Sequence, residues 1–518
     1  MTSIYLNPYS IPYSNWYSVL QFGATGDGVT DDTTAIQTAI TRAANNGGGI
    51  IYFPRGTYAV TGLTVSAANI TLVGTGLRST IIKKSASTAS TQAILITADY
   101  CGVKNLTIQG VTSAAYVVDE NGITIRGTSS AVQINGINID TVEVYNVGRA
   151  GIDVFYASNV LVNNCRTHNC GYIGIGFWSS KYCDATWNEV HTITPGTASN
   201  AYGIVYSYKQ AGDTQASYGK AEHNYIHDIS LWEALDTHGW THVQFANNTI
   251  YQCKRGIIIG IDALNNFVPS YCSASNNTMD AGSLGTILEG IILAGIDGGA
   301  HAIGGAISDN VIKTYTGYNT SFGAITVYST TGCAITGNSL YNSYGCGINL
   351  YKDNTDVLVV GNTVAGIVTG LANASGIASR STGNTGLLLG NVIDATAEYG
   401  IYAPFDSTGI RMGNNPITTS GTTYSHPANL GIGREIYGSG TVDPGNCVDG
   451  TALAPLTITV TGAQLGDAVE FSAPYDLQGL TVTAYVSATN TVAFKIWNKT
   501  GGAIDLASGT WRVRVTKL

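Results

Sequence analysis

Charge is what this 518-residue sequence has least of: Asp, Glu, Lys and Arg make up only 11% of it, against about 25% in an average globular protein. That argues against a coiled coil, a long helical bundle and a disordered chain. Proline, at 11, and methionine, at 3, are scarce, whereas glycine reaches 64 and tyrosine 31. With 24 Lys plus Arg and a net charge of −9, broad neutralisation of phosphates is out of reach, so no nucleic-acid partner is expected. No apolar run approaches the roughly 20 residues of a membrane helix, and no membrane partner is expected either. The nine cysteines are odd in number and contain no CxxC pair, which points to reduced thiols in a core rather than to disulfides or a zinc site. The opening MTSIYLNPYSIPYSNW has neither a basic start nor an apolar centre, so the chain reads as made in the cytoplasm without a signal peptide. What remains is a large, mostly β protein with a neutral polar surface.

A short phrase, a small residue followed by alternating aliphatic positions, recurs along the chain. It begins at Ala93, Gly122, Gly151, Gly174, Gly203, Ala234, Gly256, Gly290, Ala324, Gly347, Gly376 and Gly400. The mean interval of about 28 residues suits one coil of three short strands. A second ladder, Asn followed two residues later by an aliphatic residue or Met, starts at Asn188, Asn224, Asn248, Asn277, Asn310, Asn338, Asn362 and Asn391 with nearly the same period. Asn tolerates the left-handed backbone of a one-residue corner and can hydrogen-bond along a stack, so these Asn are expected at corners. Equal periods predict an all-β chain: a parallel β-helix, a solenoid with Val, Ile and Leu inside and Ser, Thr, Tyr and Asn outside.

Such a stack needs its open ends covered. DDTTAIQTAITRAANN reads as a capping helix, with Asp31 or Asp32 at its start, Ile36 and Ile40 on one face and Gly47 after its end. The repeat fades after about 410, and five alternating segments from LTITVTG to TWRVRVTKL predict a small antiparallel β domain. The expected organisation is an N-terminal extension (1–20), a cap with the first coils (21–92), a central helix bearing the groove (93–415), a linker (416–445) and a C-terminal β domain (446–518).

Extra loop length clusters between Gly174 and Ala324, so the middle of the rod is where a site is expected. Counting from each anchor, positions +1 and +3 point in and +2 and +4 point out. Asp236 and His238 then share one outward face, with Trp178 two coils below. Trp232, Trp240, Tyr208 and Tyr251 come from the same region, as do Lys209 and Asp262. Sugar rings present apolar CH faces that stack on aromatics, so a polysaccharide is the expected ligand. At position −1, Glu233, Arg255 and Glu289 alternate in charge; this is either a stabilising ladder or a place where Arg255 holds a substrate carboxylate. The Asp/His pair reads equally as a plain hydrogen-bonded surface pair, and the tryptophans as packing under loops or at a subunit contact.

The segment FGATGDGVTDDTTAIQTAI with GGGIIYFPRGTYAVTG, residues 22 to 62, resembles the opening of the pectate-lyase-like right-handed β-helix superfamily, common in phage tailspikes and bacterial polysaccharide-degrading enzymes. The last 75 or so residues resemble a terminal module of phage tail proteins. LDTHGWTHVQFANNTIYQCKRGII also resembles the Asp-Pro-His strand of alginate epimerases, which carries the acid over to Asp236 and the base to His238. Thr237 stands in place of the proline, Gly239 in place of an acid, and Glu233 where the epimerases favour Tyr. What the resemblance implies is a homotrimeric tailspike-type depolymerase on a virion tail, acting outside the cell on a capsule or exopolysaccharide, with virion tail proteins as further partners. The reaction would be proton abstraction at carbon 5 of a uronic acid followed by β-elimination. A glycoside hydrolase pairing Asp236 with Glu233 or Asp262, and a non-catalytic glycan-binding fibre, remain alternatives. No cofactor or metal site is implied, though there is room for a bound divalent cation.

Overall fold

Alternation of aliphatic and polar residues after each small anchor yields short parallel strands, three to a coil. The computed structural model describes residues 15–516 except 87–88, 90, 112–115, 195–199, 285–288, 316–321, 344, 368–372, 396, 406–408, 420–421 and 426–434; most of the expected N-terminal extension lies outside these. The chain forms two compact units, 1–425 and 426–518.

In the first unit the strands fall into three rows: A, as in Ala150–Phe155 and Ile173–Trp178; B, as in Ala157–Asn163 and Lys181–Thr186; and C, as in Arg166–Cys170 and Glu189–Ile193. Row A carries the anchors. Its register runs Ile94, Ile123, Ile152, Ile175, Ile204, Leu235, Ile257, Ile291, Ile325, Ile348, Ile377, Ile401, and every member is fully buried. This is one inward stack, and each such side chain contributes about 1.5–3 kcal/mol by leaving water. The anchor must be small because it lies beneath an aliphatic residue of row C: a Cβ on Gly256 would collide with the Met279 side chain, and one on Gly376 with Ile393.

The asparagine ladder turns out differently at the backbone. The left-handed residue at each corner is the one before the ladder Asn: Trp187, His223, Asn247, Asn276, Asp309, Gly337, Gly361 and Gly390. The ladder Asn itself is buried, because its amide must point inward to bond along the axis. From Asn188 through Asn391 to Asn415, each backbone N–H and Nδ2 donates to Oδ1 of the next Asn at 2.9–3.1 Å.

At the N-terminal end the helix α1 spans Thr33–Asn45 and buries Ile36, Ala39, Ile40 and Ala43. Asp31 accepts from the Thr33 N–H at 3.0 Å, whereas Asp32 turns away and accepts from the Thr25 and Gly26 N–H groups at 2.6 and 3.1 Å. All nine cysteines are free and buried, and burial pushes the thiols of Cys165, Cys170, Cys253, Cys272 and Cys333 up to about 12.

The second unit is antiparallel. Glu435–Val442, Gly509–Thr516 and Ala468–Ser472 form one sheet, Leu456–Thr459, Thr491–Trp497 and Thr481–Ala488 another, and Gly445–Cys447 pairs with Ile504–Leu506. Trp511, Phe494, Val492 and Val515 lie in its core. Part of the expected linker is therefore strand. Its GSG reads as a turn, but Gly438 and Gly440 lie against Val460 and Ile458, where a Cβ would crowd those side chains.

Candidate functional site

Two row A strands, continuous with row C, build the centre of the site: Tyr225–His238 and Thr249–Gly260. Their register places Glu233 beside Arg255 and Asp236 beside Ile258, with Tyr202 next to Glu233 one coil below. Asp236 does point away from the helix interior, but it is fully buried. The outer face of row A here is roofed by a second apolar cluster of Ala150, Ile173, Tyr202 and Val205, with Tyr172, Trp178 and Trp232 packed on it. His238 emerges at the edge, its side chain 32% exposed, with Nε2 2.6 Å from Asp236 Oδ2. Its Nδ1 lies 3.3 Å from the Ile261 carbonyl.

Burial opposes charge on the His238 ring, but the Asp236 carboxylate, its hydrogen bond, Glu233 and the Ile261 carbonyl together raise the pKa to about 9. Burial, then the charge of Asp236, pushes the Glu233 carboxyl well above the usual range, against the pull of His238 and Arg255. Arg255 Nη1 contacts Glu233 Oε1 and its Nε contacts Glu289 Oε2, both at 2.9 Å, and its guanidinium lies 4.0 Å from the Trp232 ring centre. The guanidinium is thus engaged by Glu233 and Glu289 within the protein. Glu233 Oε2 has no hydrogen-bond partner among the described residues. One atom each of Glu233, Asp236 and His238 lie within 4.8 Å of one another, a size that admits a divalent cation; Arg255 and the imidazole already face those carboxylates, and no ligand set is assigned.

The remaining expected residues separate. Trp240 is fully buried, packed on the equally buried ring of Tyr206 at 5.2 Å with Nε1 donating to the Ser207 carbonyl at 2.9 Å, so it is a core residue. Tyr208 is buried, donating to the Gly239 carbonyl and accepting from the Ala216 N–H. Asp262 is committed to its own turn, accepting from the N–H groups of Leu264 and Asn265 at 3.3 and 2.9 Å, which removes it as a hydrolase carboxylate. Tyr251 stands in row C beside His227. Trp178 and Trp232 are half-buried, and Lys209 is exposed with its ammonium 4.9 Å from the Phe155 ring.

Counting along the sequence missed Tyr202 and Arg149. Tyr202 sits at position −1 of its coil, its ring edge-on to His238 at 6.3 Å, and burial with the charges of Asp236 and Glu233 raises its pKa. Arg149 pairs with buried Asp153, which also accepts from Trp178 Nε1 at 2.5 Å. Asp153 lies in the same column of the repeat as Asp236, and that column was the signal available.

Residues 16–258 match the family model described as rhamnogalacturonase A/epimerase, pectate lyase-like. Mannuronan C5-epimerase AlgE5 of Azotobacter vinelandii is 48% identical over 75 residues, 13% of this chain and 7% of that protein. Alginate lyase 7 of the same organism is 46% identical over 74 residues, again 13% of this chain and 9% of that protein. The chain thus spans less than a tenth of the length of either relative. Among solved structures, the tailspike of E. coli bacteriophage HK620 in complex with a hexasaccharide aligns over 97% of this chain and 93% of that one, with 13% identity and a TM-score of 0.58. The Pseudomonas phage phi297 tailspike gp61 aligns over 97% and 99%, with 12% identity and a TM-score of 0.56. At such identities the likeness is one of fold. The match over residues 16–258, just under half of the chain, makes that part similar to the pectate-lyase-like family, and the stacked coils are those of a parallel β-helix.

Proposed function

We propose that this protein is a tailspike-type depolymerase that binds a bacterial surface polysaccharide and cleaves it by β-elimination at a uronic acid, with His238 as the base. The observation that carries this reading is the 2.6 Å pair between fully buried Asp236 and partly exposed His238. A carboxylate with no other hydrogen-bond donor among the described residues fixes the ring and stabilises its protonated form, so the ring accepts a proton readily. Nε2 keeps its proton against Asp236. Nδ1, with the longer contact to the Ile261 carbonyl, is the nitrogen that gains and loses one.

In the reaction Nδ1 takes the proton from carbon 5, the electron pair forms the double bond between carbons 4 and 5, and the bond from carbon 4 to the glycosidic oxygen breaks. The Glu233 carboxyl is buried behind the pair and acts on the reaction only through the field it adds at the His238 ring. The Tyr202 hydroxyl, on a ring edge-on to His238 at 6.3 Å, supplies the leaving oxygen with a proton. A hydrolase is less well supported, since Glu233 and Asp236 are both buried. The relatives named for uronate chemistry and the tailspike fold agree with an extracellular, virion-borne homotrimer joined to tail proteins. No helix among the described residues is long and apolar enough to cross a membrane.

The test is incubation with alginate, polygalacturonate and purified capsular polysaccharides. Ultraviolet absorbance of an unsaturated uronate is the expected result. New reducing ends without absorbance would make it a hydrolase, altered uronate composition without chain scission an epimerase, and retention without turnover a binding fibre.

A further inference from the structure

Row B, on a different face from His238, holds a groove that the reaction does not use. A cavity of about 580 Å³ opens over the strands Ala157–Asn163, Lys181–Thr186, Ser217–Glu222 and Thr241–Ala246. One wall is a stack of rings from successive coils, Tyr182 on Tyr218 at 4.8 Å and Tyr218 on His242 at 4.8 Å, and the stack continues past the cavity with Tyr271 5.1 Å from His242. Tyr182, Tyr218 and Tyr271 are 50%, 44% and 58% exposed. At the opposite end of these strands stands Trp187, 62% exposed and stacked on His223 at 4.3 Å.

All four stacked residues have left-handed backbone, with φ of 52°, 62°, 56° and 53°. That conformation is costly for bulky side chains and natural for Gly or Asn. The same corner is in fact Asn159 one coil below and Gly304 one coil above. Four consecutive coils therefore carry aromatics where the backbone would be more stable without them, and their rings are left facing solvent.

The floor is polar. Asp184, Lys220 and Gln244 occupy one column of the register, and their side chains make no hydrogen bond within the protein among the described residues. One acid and one amine leave little net charge, so hydroxyl groups, rather than a strongly charged partner, are what this floor recognises. Ring edges spaced by one coil, over donors and acceptors at the same spacing, form a track about 15 Å long parallel to the rod axis.

We propose that this row B groove is a second, non-catalytic glycan-binding site that takes an extended stretch of polysaccharide lying along the rod, separate from the His238 centre. It rests on the glycan reading above and extends it: the chain would be held at one face while another segment is processed at row A.

The experiment compares wild type, Tyr182→Asn/Tyr218→Asn and His238→Gln. Asn replaces the tyrosines because it keeps the left-handed corner, as Asn159 does. Retardation is measured in gels cast with alginate, polygalacturonate or purified capsular polysaccharides, alongside turnover, melting temperature and mass by light scattering. Loss of both rings should weaken retention by about tenfold, with melting temperature, mass and turnover of short oligosaccharides unchanged, while His238→Gln keeps retention and loses turnover. Retention equal to wild type in the tyrosine variant overturns the groove and leaves the His238 reading standing. A smaller mass for that variant than for wild type also overturns it, by showing that a second copy covers this face. Retention that depends on the tyrosines while His238→Gln turns over normally supports the groove and removes the His238 reading. A wild type retained by none of these polysaccharides overturns both.

Discussion

His238 is paired with a carboxylate that no solvent reaches. Because Asp236 is buried, the pair is not an ordinary surface contact, and melting temperature will not be indifferent to it. His238→Ala strands a buried carboxylate, at a cost of about 3–5 kcal/mol, so His238→Gln is the better probe of turnover. Asp236→Asn should lower turnover by roughly 10² to 10⁴. The pH dependence has a definite sign: the folded pKa of about 9 lies above the ordinary 6.5, so the stabilisation from the pair is full below about 6.5 and is lost as pH rises through about 9. Turnover should run the other way in wild type, rising through a midpoint near pH 9 as the base is freed, and the Asp236→Asn profile should shift to lower pH. A wild-type profile that falls across this range would assign His238 the role of acid. Arg255 offers a second check at this scale. Arg255→Met leaves Glu289 without its cation and Glu233 without its hydrogen bond, and should cost about 3–5 kcal/mol, read as a fall in denaturant midpoint.

The elements that make the rod are ladders, and each rung is held by the rungs on either side. Asn277 shows what one rung does: its Oδ1 accepts from the Asn248 N–H and Nδ2, and its own Nδ2 donates to the Phe245 carbonyl at 2.9 Å. Asn277→Ala would orphan all three groups inside the core. A loss of roughly 3 kcal/mol or more is expected from chemical denaturation, whereas exposed Asn247→Ala beside it should cost much less, through its left-handed backbone alone. The ladder was readable because its period matched that of the anchors. Its backbone geometry was not, since the sequence does not say which of two adjacent residues reverses the chain and which turns its side chain inward.

At the scale of the molecule, the two units have different chemistry. The first carries every candidate catalytic group, whereas the second is a small antiparallel unit built around Trp511 and Phe494. We expect the second to serve assembly. A chain ending at residue 425 should retain the far-ultraviolet signal of the rod and the proposed turnover, while light scattering shows loss of the proposed trimer; a truncated chain of unchanged oligomeric state would refute that assignment.

Period-two and period-28 patterns are local properties of the chain, so the anchors, the inward Ile stack, the Asn ladder, the cap over Thr33–Asn45 and the pairing of Asp236 with His238 on one strand were all determined by the sequence. Alternation says only that a side chain points away from the interior of the helix. Whether that direction ends in solvent depends on residues from other coils. Tyr202 and Val205 from the coil below stand beside Glu233 and Asp236, Trp240 packs on Tyr206, and the Asp262 turn takes up its own carboxylate. Burial is what raises the Glu233 carboxyl and closes Asp236 to every partner but His238, and burial is set by which coils and loops meet, a relation that no single strand of sequence contains.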